Sequence, residues 1–117
     1  MKLAIIGSRT FTDFKRLKEF AIENIKISQI TTIVSGGAIG ADKLAEEFAK
    51  KYDIPIQIFY PNWKKYGKIA GFIRNEKIIK NCDEVIALWD GMSKGTKHSI
   101  GLARKYGKLL YILHTPN

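Results

Sequence analysis

Five short apolar runs punctuate the chain, at residues 3–6, 31–34, 56–60, 85–89 and 109–113. Each is rich in Ile, Val, Leu or aromatics and lacks polar alternation, the pattern of strands buried on both faces of a parallel sheet. Helical periods fill the gaps. Phe14, Leu17, Phe20, Ala21 and Ile25 share a face behind Thr12 or Asp13 as cap. Leu44, Ala45, Phe48, Ala49 and Tyr52 form a second face, and Ile69, Phe72, Ile73, Ile79 and Cys82 a broader, less regular third. Ile100, Ala103 and Tyr106 form the last, closed by Gly107 as the C-cap. Strands alternating with helices predict right-handed crossovers, hence an α/β, Rossmann-like three-layer sandwich. About five parallel strands are expected, in the order 3-2-1-4-5. With no repeat or linker, residues 1–117 are one domain's worth of chain.

Small and polar residues gather where these strands end. Gly7-Ser8-Arg9 follows the first strand, Ser35-Gly36-Gly37-Ala38-Ile39-Gly40-Ala41-Asp42 the second, and Asp90-Gly91-Met92-Ser93-Lys94-Gly95-Thr96 the fourth. In a parallel sheet all carboxyl ends lie on one edge, and strands one and four flank the switch point where such sheets bind ligands. Glycine at these turns lets a ligand approach backbone amides. Helices opening near Gly40 and near Thr96 are expected to offer unpaired N–H groups to phosphate or pyrophosphate. The alternative is a set of tight strand-to-helix turns with no ligand. Neither GxGxxG nor GxxxxGK[ST] occurs, which speaks against an NAD dehydrogenase or an ordinary Mg-ATPase.

Two further stretches carry candidate chemistry. In the run Tyr60-Pro61-Asn62-Trp63-Lys64-Lys65-Tyr66-Gly67-Lys68, aromatics interleave with lysines, a combination suited to a base and its sugar-phosphate, or simply to covering the sheet edge. Arg74 offers a bidentate hold on phosphate or carboxylate, with Asn75 beside it; by composition alone the pair reads as a solvated helix face.

Net charge is +9, which favours anionic partners, but the lysines are scattered and no block of five like charges occurs. Charge alone therefore reads as a solubility feature. No apolar run approaches a bilayer span, and the amino end lacks a secretory core, so a cytoplasmic protein away from membranes is expected. One cysteine, Cys82, excludes an internal disulfide and reads as core. His98 and His114 lack spaced partners, and no metal or required cofactor is expected.

Taken together, GSRTFTD at residues 7–13, SGGAIGAD at 35–42, the W-x-x-Y-G-x-x-A-G-x-x-R-N run at 63–75 and WDGMSKGT at 89–96 resemble the SLOG superfamily, in particular its small YspA/YpsA-related proteins. The resemblance implies a nucleotide-type ligand at the glycine-rich edge. LOG-type phosphoribohydrolases in this superfamily carry an arginine that Arg74 matches, and a PGGxGTxxE motif in which Ser99 stands where the glutamate should be. Hydrolysis through an oxocarbenium-like centre needs a carboxylate, and Ser99 is none. Asp42 or Asp90 would have to substitute. The DprA-like branch binds single-stranded DNA, and other SLOG domains sense ADP-ribose-derived signals.

The leading expectation is a protein that binds a nucleotide or ADP-ribose-type ligand without strong catalysis. Gly36, Gly37, Gly40 and Thr96 would serve phosphate, with Ser8 and Arg9 flanking it, and Gly7, Ser35, Ala38, Asp42, Asp90, Gly91, Ser93 and Gly95 complete the expected ligand-binding set. Trp63, Tyr66 or Trp89 would stack the base, and Arg74 with Asn75 would clamp a phosphate or ribose. The alternatives are a nucleoside-phosphate N-glycosidase and a single-stranded nucleic-acid binder; a homodimer is expected from an open sheet edge.

Overall fold

Within the first strand, neighbouring side chains part to opposite sides. In the computed structural model, which describes residues 1–37 and 40–115, Leu3 and Ile5 join one core while Ala4 and Ile6 join the other. This strand, β1 (Lys2–Gly7), is the middle of a parallel five-stranded sheet. The others are β2 (Thr32–Ser35), β3 (Ile56–Ile58), β4 (Glu84–Trp89) and β5 (Leu109–His114), in the order β3-β2-β1-β4-β5. Register pairs Ala4 with Val34 on one side and Gly7 with Leu88 on the other.

Helices cover both faces. Leu17 and Ala21 of α1 (Phe14–Asn24) and Leu44 and Phe48 of α2 (Ala41–Lys51) pack on Leu3, Ile5, Ile33 and Ile86. Ile78 and Ile79 of α4 (Ala70–Lys80) and Ile100 and Ala103 of α5 (Lys94–Lys105) pack on Ala4, Val34 and Val85. The four-residue α3 (Trp63–Tyr66) and a 3-10 turn at Gly67–Ile69 lead into α4. Asp13 caps α1, its side chain accepting from the Arg16 N–H. Among the described residues no helix is long and apolar enough to cross a membrane.

Two local expectations need correction. β3 stops at Ile58 rather than reaching Tyr60, because Phe59 makes a last bond to the Ser35 carbonyl and Pro61 has no N–H to continue the ladder. The third helical face is misphased. Ile69 and Phe72 are exposed, whereas Ala70 and the polar Asn75 are buried, since this helix shares its inward side between the core and a cleft. The last helix starts at Lys94 with Ser93 as its cap, near Thr96 as expected.

Cys82, just beyond α4, is buried with its Sγ–H donating to the Ile79 carbonyl at 3.3 Å. Burial pushes the thiol pKa up to about 11.

Phe48 is fully buried between α2 and the sheet. Phe48→Ala is expected to cost about 3–5 kcal/mol, leaving a cavity that the rigid sheet cannot close. Urea unfolding of the two proteins measures the difference.

Candidate functional site

The carboxyl ends of β1, β2 and β4 meet at one edge, drawn together by two close approaches that leave no room for a β-carbon. A Cβ on Gly7 would strike the backbone carbonyl of Leu88, and one on Gly40 would strike the backbone of Arg9. Gly40 also has φ +73°, a left-handed conformation that disfavours other residues. Hydrogen bonds then stitch the loops. The Ser8 N–H donates to the Leu88 carbonyl at 2.9 Å, the Ala41 N–H to the Ser8 carbonyl at 3.2 Å, and the Asp90 N–H to Ser8 Oγ at 3.3 Å.

This stitching occupies part of the expected anion seat. Several amides predicted to await a phosphate already have partners within the protein. The Ala41 N–H is held by Ser8, the Met92 and Ser93 N–H groups donate to Asp90 Oδ1 at 2.8 Å each, and the Thr96 N–H donates to Ser93 Oγ at 3.4 Å. Positive side-chain charge in the clefts at this edge comes from Arg9 and Arg74.

Two adjoining clefts share these arginines. The first, about 420 Å³, has Ile6, Ile78 and Ser99 among its lining. Gly7, Ser8 and Thr10 line it from the first loop, Asp42 from α2, Asn75 from α4, and Asp90, Ser93, Gly95 and Thr96 from the fourth loop and α5. The second, about 370 Å³, lies among Gly36, Gly37, Tyr60, Pro61 and Trp63. Tyr60 and Trp63 present most of their rings to solvent, at 69% and 56% exposure, and so offer stacking faces.

Arg74 is the best-fixed group at the junction. Its Nη1 donates to the Gly36 carbonyl at 2.7 Å and its Nε to Asn75 Oδ1 at 3.0 Å. Partial burial lowers its pKa from the ordinary value; the Asp42 carboxylate works against that shift and the Arg9 charge adds to it. An arginine remains protonated at neutral pH all the same. Asp42 is buried beside it and accepts from the Ser35 hydroxyl at 3.1 Å. The composition-based reading of Arg74 and Asn75 as a solvated face is overturned: Asn75 is buried and both residues line the first cleft.

Other expected residues lie elsewhere. Trp89, Tyr66 and Gly91 line neither cleft. Trp89 is a strut, its indole N–H donating to the Ser93 carbonyl at 3.2 Å and its ring set against His114. Lys65 sits over the Tyr66 ring, and Gly91 is a turn residue at φ +83°. Ser35 supports Asp42 from behind, and Ala38 falls outside the described residues. Thr10 was missed as a site residue, and Tyr60, though part of the expected aromatic run, was not singled out as a stacking ring. Each directly follows a strand-end segment at the carboxyl edge, and that position was the signal available for both.

Residues 1–66 match the family described as YAcAr, the YspA, cpYpsA-related SLOG family. No curated protein matches the chain. Among solved structures it is similar to DNA processing protein A from Helicobacter pylori, described for its unique single-stranded DNA binding mode. The identity is 26% and the TM-score 0.73, over 98% of this chain and 66% of that one. The chain thus spans just under two thirds of that neighbour's length.

The amides of Met92 and Ser93 hold the Asp90 carboxyl below its usual pKa. A carboxylate depressed in the folded state adds stability above its unfolded pKa and loses it as pH falls through the folded one. Asp90→Asn is therefore expected to be less stable than wild type at neutral pH, with the gap closing as pH drops below about 4. Urea unfolding of both proteins over that range measures it.

Proposed function

The chain belongs to the YspA, cpYpsA-related SLOG family, and from that premise we propose that it binds a nucleotide or nucleotide-derived ligand at the junction of the two clefts. The anionic group sits between Arg9 and Arg74, and the base lies on Tyr60 or Trp63. The observation that carries this reading is the sharing of both arginines by a polar cleft and an aromatic one. A nucleotide has the same bipartite chemistry, a phosphate within a sugar's length of a flat ring. The guanidinium and carboxylate of Arg74 and Asp42 together suit a group bearing both anionic oxygens and hydroxyls, as ribose phosphates do. ADP-ribose extends the same logic, because its diphosphate would lie over the arginines with a sugar on either side.

The residue at position 99 favours binding over turnover, with Asp42 the carboxylate that remains in the first cleft. Ser99 is buried there and supplies a hydroxyl where hydrolysis needs a carboxylate, while Asp90 is committed to its own turn.

A second reading has its own support. DNA processing protein A, described for binding single-stranded DNA, is similar over nearly this whole chain, and the net charge here is +9. A strand laid along both clefts would place one phosphate over the arginines and one base on the exposed rings.

Thermal shift with AMP, NAD and ADP-ribose separates these readings from each other and from no binding. At least one of the three is expected to raise the melting temperature, and Arg74→Ala to weaken the shift. Trp63→Ala or Tyr60→Ala is expected to weaken binding by about 1–3 kcal/mol, the worth of one stacked base. No shift from any of them sinks the small-ligand reading. An oligonucleotide whose affinity falls steeply with salt, and which AMP does not displace, would favour the nucleic-acid reading in its place.

A further inference from the structure

Asn75 is a buried amide in the wall of the first cleft, 8% exposed, with partners of opposite kind at its two ends. Its Oδ1 accepts from Arg74 Nε at 3.0 Å, and a guanidinium nitrogen only donates. Its Nδ2 lies 3.5 Å from the Gly95 carbonyl, which only accepts. These two neighbours fix which end of the amide is which, a choice that is otherwise ambiguous for an asparagine.

The same Nδ2 lies 3.4 Å from His98 Nδ1. A ring nitrogen facing an N–H donor accepts through its lone pair, which calls for the tautomer with the proton on Nε2. A chain of contacts therefore runs from His98 through Asn75 to Arg74, and from Arg74 Nη1 to the Gly36 carbonyl.

We propose that His98 is a positioning residue for the anion site: by accepting from Asn75 it keeps the amide turned so that Arg74 stays aimed at the junction of the clefts. The proposal deepens the nucleotide reading and rests on it for the role of Arg74, though the positioning itself is a property of the protein without ligand. Without the His98 acceptor, the long Gly95 contact alone would hold the Nδ2 end of the amide. A flipped Asn75 would set its NH2 against Arg74 Nε–H, donor against donor, and release the guanidinium from one of its two holds.

His98 has a second contact, edge-on against the Phe72 ring with centroids 4.7 Å apart. Packing and hydrogen bonding are separable by two substitutions with opposite effects. His98→Phe keeps a ring against Phe72 and deletes the acceptor. His98→Gln deletes the ring and keeps an acceptor.

The readout is the Arg74 Nε–H resonance in proton–nitrogen spectra of the whole chain, identified by its loss in Arg74→Lys. Slow exchange with water is expected in wild type and in His98→Gln, and exchange about fivefold faster or more in His98→Phe. His98→Leu replaces His98→Phe if the latter does not fold. Protection that survives in the acceptor-less variant, or that His98→Gln loses, overturns the proposal. AMP titration gives the functional arm. His98→Phe is expected to weaken AMP about fivefold in the native background and less than about twofold when Arg74 is already Ala, because one residue acts through the other. Equal losses in both backgrounds overturn it as well. If none of AMP, NAD and ADP-ribose binds any form of the protein, the nucleotide reading fails, and the resonance still decides whether His98 positions Arg74.

Discussion

Backbone lies against backbone at the carboxyl edge of this sheet, and that closeness governs the rest. Gly7 runs under the Leu88 carbonyl and Gly40 rests on the Arg9 backbone. Neither approach tolerates a β-carbon, so two hydrogen atoms set the spacing of three loops. The gain is a rim whose parts are mutually braced. Ser8 alone ties β1 to β4 through its N–H, to α2 through its carbonyl and to the Asp90 turn through its hydroxyl.

Bracing uses up donors. In loops of this kind, backbone amides at helix starts commonly serve as the phosphate cradle. Here several of them are satisfied by Ser8, Ser93 and the Asp90 carboxylate, and the electropositive character passes to side chains. That transfer changes the chemistry of recognition. Backbone dipoles hold an anion at a fixed place, whereas guanidinium groups hold it through planar, paired hydrogen bonds whose direction depends on what supports them. Arg74 is supported on two sides and its charge is balanced by Asp42 close by. The cleft is thus polar in both senses, able to meet anionic oxygens and hydroxyl hydrogens within one guest-sized space.

Most of the architecture was legible in the sequence because it depends on period and run length. The uninterrupted apolar runs gave the strands, their glycine-rich ends gave the edge, and the alternation with helices gave the order β3-β2-β1-β4-β5. What escaped was phase and partnership. α4 carries both a core stripe and a cleft stripe, so its apolar residues do not mark a single face, and Phe72 is left outside while Asn75 goes in. The site was readable where residue type and edge position coincided, as at Ser8, Arg9, Gly36 and Thr96. It was unreadable where a side chain had a choice of neighbours. Trp89 and Tyr66 have the rings that stacking asks for, but one is spent on the Ser93 carbonyl and the other faces a lysine. Whether an amide N–H is free or already engaged is likewise a three-dimensional fact, invisible in a motif.

The sole cysteine offers a practical consequence. Cys82 is buried and burial pushes its thiol pKa up to about 11, so at neutral pH very little of it is the thiolate that electrophiles attack. Alkylating dyes and spin labels therefore meet an almost silent background. A new cysteine on the exposed rim would take the label alone, without first deleting the native one, and distances or fluorescence at that rim could be followed in otherwise unaltered protein.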